Sequence, residues 1–189
     1  MDEVQQKRYW NAAGMSGLIF GFVMFLITVT GGYVTIHSEP TGSFFSASIV
    51  ASALGCLIGA FGGVLAVRFY INEYGPEILP GRGALIGLFA GVFMALVSQF
   101  LGMLWPLVDG SYLEQLQNAM IANAELMEII PAAQREEMVD AIYTQMQNYY
   151  SAGTILMGLF SGMLGMGLLN ILSGLLGAKF MGVRPEEEF

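Results

Sequence analysis

The chain has 189 residues, with seven Lys and Arg against 15 Asp and Glu, a net charge of −8, one histidine and one cysteine. Hydrophobic residues make up 55% and charged residues 12%, where a soluble domain carries about 25% charged, and mean hydropathy is +0.62. Seven basic residues exclude a nucleic-acid binder, one cysteine excludes an intrachain disulfide, and the balance points to a chain solvated by lipid.

A hydrocarbon core about 30 Å thick needs ~20 mostly apolar residues in a helix. The first such stretch covers residues 12–34, after Lys7 and Arg8. It is longer than a signal-peptide h-region and lacks a small-residue cleavage pattern after it. Gly17 and Gly21 sit four apart on it. A short loop follows with His37, the sole histidine, read as solvated. The second stretch, residues 44–69, carries Ala51, Gly55, Gly59 and Gly63 in four-residue steps. Cys56 within it reads as a small hydrophobe. Gly75-Pro76 and Pro80-Gly81 then mark turns.

The third stretch, residues 84–108, has the ladder Gly83, Gly87, Gly91 and Ala95, and the polar Gln99. Trp105-Pro106 predicts an end or kink there. The insert at 109–148 is too long for a plain connection and reads as two helices. Ser111 with Glu114 forms a capping-box pattern for a helix from near Tyr112, with Leu113, Leu116, Met120, Ala124 and Met127 at helical spacing. Pro131 suits the first turn of the next helix, which bears Met138, Ile142 and Met146. The opposite faces hold Glu114, Glu125, Glu128, Glu136, Glu137 and Asp140. Of these, Glu136, Glu137 and Asp140 form the candidate acidic surface. Lacking EF-hand-like spacing, they read as a solvated face and not as a metal site. The fourth stretch, residues 152–180, carries Gly158 and Gly162, Ser161 and Gly165 on the next row, Asn170, then Gly174 and Ala178.

These stretches are continuous rather than alternating in polarity, so helices are expected and not β-barrel strands. The expected fold is all-α: a four-transmembrane-helix bundle with an extracytoplasmic helical hairpin between spans three and four. Six of the seven basic residues fall on one side, and only Arg135 on the other, which predicts cytoplasmic termini. Glycines four apart give a helix a strip without side chains, so another helix can approach closely. The segments at 17–24 and 87–94 resemble each other, a hint of two related hairpins.

Intramembrane polar residues are few. Ser and Thr bond back to their own helix, which leaves Gln99 and Asn170 as candidates. No nucleophile–base set, paired intramembrane carboxylates, HExxH or nucleotide loop occurs, and no span holds a histidine. Neither an enzyme nor a cofactor is expected.

The glycine-rich third span (Gly83 to Ala95), the acidic insert (Glu114 to Gln147) and the Gly/Leu-rich last span (Gly158 to Lys179) together resemble a widespread bacterial family of four-span membrane proteins of unknown function. The resemblance implies the four-helix fold and the bacterial inner membrane, and carries no functional residues. Two functions are expected to compete. One is a non-enzymatic assembly or accessory subunit, packing with its own copies or another membrane protein through glycine faces. The other is a small oligomeric transporter or channel for an ion or small solute.

Overall fold

The computed structural model describes residues 3–43 and 45–183, with side chains from Tyr9 onward. The helices are α1 (Glu3–His37), α2 (Ala47–Gly59), α3 (Gly62–Tyr74), α4 (Pro80–Val108), α5 (Tyr112–Glu125), α6 (Ala132–Gln147) and α7 (Ala152–Met181). Four lengths are long and apolar enough to cross a membrane: Tyr9–His37, Ala47–Tyr74, Pro80–Val108 and Ala152–Met181. The chain is therefore an all-α, four-span membrane bundle. The expected start of the second span at Phe44, the side chains of Lys7 and Arg8, and Arg184 lie outside the described residues.

The start of α1, the α3–α4 loop and the end of α7 share one side, called here the terminal side. Val183 donates its amide to the Pro76 carbonyl at 2.8 Å, and the Ile78 amide donates back to Val183 at 3.3 Å. This stitches the end of α7 to the loop. The insert lies on the opposite side.

The second span is not one continuous helix, as its sequence suggested, but α2 and α3 in succession. Ala60 and Phe61 form a turn between Gly59 and Gly62-Gly63. Glycine lowers helix stability by about 1 kcal/mol against alanine, so three of them around two residues make this the weakest point of the span. A break in hydrocarbon needs new partners for freed backbone groups. Asn170 of α7 provides one, its Oδ1 accepting the Gly63 amide at 2.5 Å. Its Nδ2 donates to the Met166 carbonyl at 2.8 Å. Ser16 of α1 donates to the Gly62 carbonyl at 2.7 Å. Both Asn170 and Ser16 are fully buried.

Close approach by glycine makes these bonds possible. A Cβ on Gly63 would lie 2.7 Å from the Gly174 amide nitrogen. On Gly87 it would meet the Asn170 carbonyl carbon at 2.8 Å, and on Gly91 the Met166 carbonyl carbon at 2.6 Å. On Gly17 and Gly21 it would come within 3.0 Å and 2.9 Å of the Ala90 and Met94 carbonyl oxygens of α4. Gly83 faces Gly174 and Ala178 in the same way. The main core lies here, on the terminal side, around Tyr9, Ala13, Val67, Ile78, Ile86 and Ala90. The two similar segments at 17–24 and 87–94 lie on helices that pack side by side.

Packing loosens toward the insert side. A Cβ on Gly158 of α7 would lie 3.4 Å from the Gln99 amide, and one on Gly162 3.6 Å from the Ala95 methyl of α4, ordinary contacts rather than tight ones. Gly55 and Gly59 of α2 face side-chain atoms only, with the thioethers of Met24 and Met94 at 3.0 and 3.1 Å from a Cβ on Gly59. Past the break, α2 packs on α1 and scarcely touches α7.

On the insert side, α5 is seated over the end of α1. The Tyr112 hydroxyl occupies the space a side chain would need at Gly32. Asn123 accepts from the amides of Thr41 at 3.2 Å and Gly42 at 3.1 Å, and donates to the Ser43 carbonyl at 3.0 Å. Gly42 has φ +65 beneath the Leu126 carbonyl, a left-handed conformation that suits glycine. Ile121, Ala124 and Ile142 join α5 to α6, with Met120, Met138 and Val139 around them. Ser111 does not cap α5 as the sequence suggested. Its hydroxyl donates instead to Asp109 Oδ1 at 2.7 Å. Pro131 stands at the N-cap of α6 rather than in its first turn, and α4 runs through Pro106 to Val108.

Gly87 and Gly102 of α4 test this packing gradient. Gly87→Ala should destabilise by about 1–3 kcal/mol, because backbone must move to admit the methyl. Gly102→Ala meets open space and should be neutral or stabilising by up to about 1 kcal/mol. Unfolding of both variants in mixed detergent checks the ordering.

Candidate functional site

The loosened insert side encloses a cavity of about 280 Å³ on the acidic insert and another of about 210 Å³ within the bundle. The second lies between α1 and α4 where α2 has departed. Phe25, Thr28 and Val29 of α1 face Ser98, Gln99, Gly102 and Trp105 of α4, and Tyr112 and Tyr149 close the end. The spacing on each helix explains the convergence. Residues three and four apart share a face, so 25, 28 and 29 line one wall and 98, 102 and 105 the other.

The donors in this cavity are unequally engaged. Thr28 donates to the Met24 carbonyl at 2.9 Å, and Tyr149 to the Gly102 carbonyl at 3.3 Å. Trp105 Nε1 is buried beside the Tyr33 hydroxyl and makes no hydrogen bond of regular geometry. Its ring stands edge-on to Phe25 and Tyr33, at centroid distances of 5.7 and 6.3 Å. Gln99 is half-buried, and its amide is bonded by no other described residue. A buried donor without a partner costs about 1–3 kcal/mol, so the indole N–H is the cavity's unmet demand. Burial raises the Tyr112 and Tyr149 phenols above their usual range, so both remain protonated at physiological pH.

Above the cavity, Tyr33 donates to Asp109 Oδ2 at 2.6 Å. Asp109 Oδ1 also accepts from the Ser111 amide at 3.1 Å. The Tyr33 bond first, and then those from Ser111, hold the Asp109 carboxyl below its usual range. The contact fastens the end of α4 to the end of α1 beside the Tyr33–Tyr112 ring pair, whose centroids are 5.2 Å apart.

Of the candidates in the sequence, Gln99 lines the cavity, whereas Asn170 is a backbone partner buried at the break. Glycines 17, 21, 63, 83, 87 and 91 are enclosed by neighbouring helices of the same chain, Gly59 is crowded by methionine side chains with the Met166 methyl 2.5 Å from where its Cβ would stand, and Gly55, Gly158 and Gly162 sit in looser internal contacts. Glu136, Glu137 and Asp140 are exposed. Glu136 and Asp140 flank the insert's cleft beside Arg135, which donates to the Glu125 carbonyl at 3.0 Å. Among the described residues, no group of three or more His, Cys, Asp or Glu could hold a metal. The sequence marked Trp105 only at an end or kink of the third span and singled out neither Tyr33 nor Tyr149 as a site residue. Their convergence with Thr28, Ser98 and Gln99 needed the register of α1 against α4.

The chain matches no family model, and neither a curated protein nor a solved structure is similar to it.

The Asp109 lock is pH-dependent in a definite direction. A free aspartate titrates near ~3.9, and the folded value is lower, so the lock contributes fully above that range and is lost as pH falls through the folded value. Asp109→Ala should speed hydrogen exchange at the start of α5 at neutral pH. The difference from the unmodified chain should vanish only in strong acid.

Proposed function

We propose that this integral membrane protein is a small, non-enzymatic carrier that binds an uncharged polar solute from the insert side. The supporting observation is the buried Trp105 N–H, which no hydrogen bond of regular geometry satisfies, in the wall of a cavity that also presents Gln99. No charged side chain lines the cavity. Charged solutes in the membrane call for charged or dipolar partners, so a neutral solute with an acceptor oxygen, such as an amide or a polyol, suits this lining best. On the terminal side, Met94 and Asn170 are fully buried and the glycine contacts close the path. On the insert side Tyr112 and Tyr149 cap the cavity, and the loose α4–α7 end is where the rearrangement that admits a solute costs least.

The positive-inside bias supports cytoplasmic termini, which would place the cavity's mouth outside the cell. The layout suggests the bacterial inner membrane. An assembly role has one separate support. Gly165 of α7 faces open space, next to Ser161, and the α7 span is the least buried of the four, at 17%. That row would admit a second copy or another membrane protein.

The chain's only other tryptophan is Trp10, which stacks on Phe89 far from the cavity. In a Trp10→Phe background, Trp105 fluorescence therefore reports the cavity alone. A panel of small amides, polyols, carboxylates and amines should include a neutral solute that shifts the emission saturably and enters proteoliposomes. Gln99→Leu should weaken that solute about tenfold, the worth of one hydrogen bond. If no solute shifts the emission and none enters, the carrier reading fails.

A further inference from the structure

A different cavity, independent of the carrier reading, carries a second function. On the membrane-facing side of α1 and α2, a groove of about 490 Å³ opens, lined by Leu26, Thr30 and Val34 of α1 and Val50, Ala51 and Leu54 of α2. The two helices touch where Ala51 meets Gly31, and the shallow groove beside that contact is almost wholly apolar. At its insert end, where Val34 gives way to Thr35, it meets a polar chamber of about 210 Å³ with which it shares Ala47. Ser46, Thr41, Glu39 and Asn123 are among the chamber's walls, and α5 roofs it. An apolar trough in the hydrocarbon, ending in a polar chamber at the interface, has the two-part form of an amphiphile.

We infer that this groove and chamber bind one lipid of the insert-side leaflet, an acyl chain along α1 and α2 and a cationic amine headgroup beside Glu39. Charge selects the headgroup. Among the described residues, Glu39 is the only charged one lining either cavity, and no Lys, Arg or His lines them. Most of the chamber's other polar groups are already committed to the protein. Asn123 holds the 41–43 loop, the Thr35 hydroxyl donates to Gly31 at 2.9 Å, and the Ser38 hydroxyl donates to Val34 at 2.6 Å. A headgroup relying on hydroxyl or anion recognition finds little to bind, whereas an ammonium finds a carboxylate. A bound lipid would brace α2, which past the break leans on α1 alone.

The test uses the full chain in nanodiscs made from equal parts of phosphatidylethanolamine and phosphatidylglycerol, released into mild detergent and weighed by native mass spectrometry. The unmodified protein should retain one phosphatidylethanolamine in preference to phosphatidylglycerol by about fivefold, the worth of one charge near the surface. Val50→Trp should fill the groove and abolish retention. Leu54→Trp repeats the test should the first variant fail to purify as a single species, since both parent side chains are about half exposed, at 46% and 50%. Glu39→Lys should reverse the headgroup preference. Retained lipid in the proportions of the nanodisc, retention unchanged by the tryptophans, or a preference indifferent to Glu39→Lys would each overturn the assignment and leave only the annular lipid that any span carries.

Discussion

Hydrocarbon offers no hydrogen bonds, and this chain breaks a helix inside it. The rest of the structure follows from how that break is satisfied. Gly63 would expose an amide to lipid-like surroundings, at a cost of several kcal/mol, had Asn170 not been placed to receive it. Asn170 reaches that amide only because α3, α4 and α7 come within backbone contact at Gly63, Gly87 and Gly174. The polar pair and the glycine contacts are thus one device. Either alone would be a liability: a buried amide side chain without a partner, or bare backbone with nothing to gain from exposure.

The break also divides the bundle into two unlike halves. Where α3 takes its place among α1, α4 and α7, packing is tight and small residues dominate. Where α2 replaces it, the second span swings onto α1 and the fourth side of the bundle is left open. Both features with chemical potential arise from this departure. The Trp105 cavity occupies the interior that α2 vacates, and the apolar groove follows the seam where α2 rests on α1. The insert then covers the loosened end, seated by Tyr112 on Gly32 and by Asn123 on the first loop. It is held there by Tyr33 and Asp109.

Much of this was legible in the sequence. Length, continuous apolarity and sparse charge fix four helical spans, and the amphipathic spacing of Met138 and Ile142 marks a helix in the insert that packs by that face. The ladder at Gly83, Gly87 and Gly91 lies where α4 approaches α7 within backbone contact, and that partner was not readable from the ladder itself. The glycines expected to meet another chain mostly face other helices of the same one. The break escaped notice because Gly59, Gly62 and Gly63 lie in a run as hydrophobic as any other, and hydropathy does not register helix propensity. Likewise Asn170 and Gln99 look alike in sequence. One is consumed by a backbone amide 107 positions away, the other borders a void, and only helix register separates them. The Ser111–Glu114 pattern misled for a local reason: Asp109, two residues earlier, captured the serine hydroxyl first.

The account's central claim is that Asn170 replaces the hydrogen bond the second span gives up at its break. Amide hydrogen exchange at Gly63, measured site by site in lipid nanodiscs, addresses it most directly. The account predicts a protected Gly63 amide in the unmodified chain, and exchange accelerated by at least about fivefold in Asn170→Leu, with amides in the middle of α4 unaffected. Equal protection of Gly63 in both proteins would mean that the span closes this bond by itself, and the division of the bundle into tight and loose halves would lose its cause.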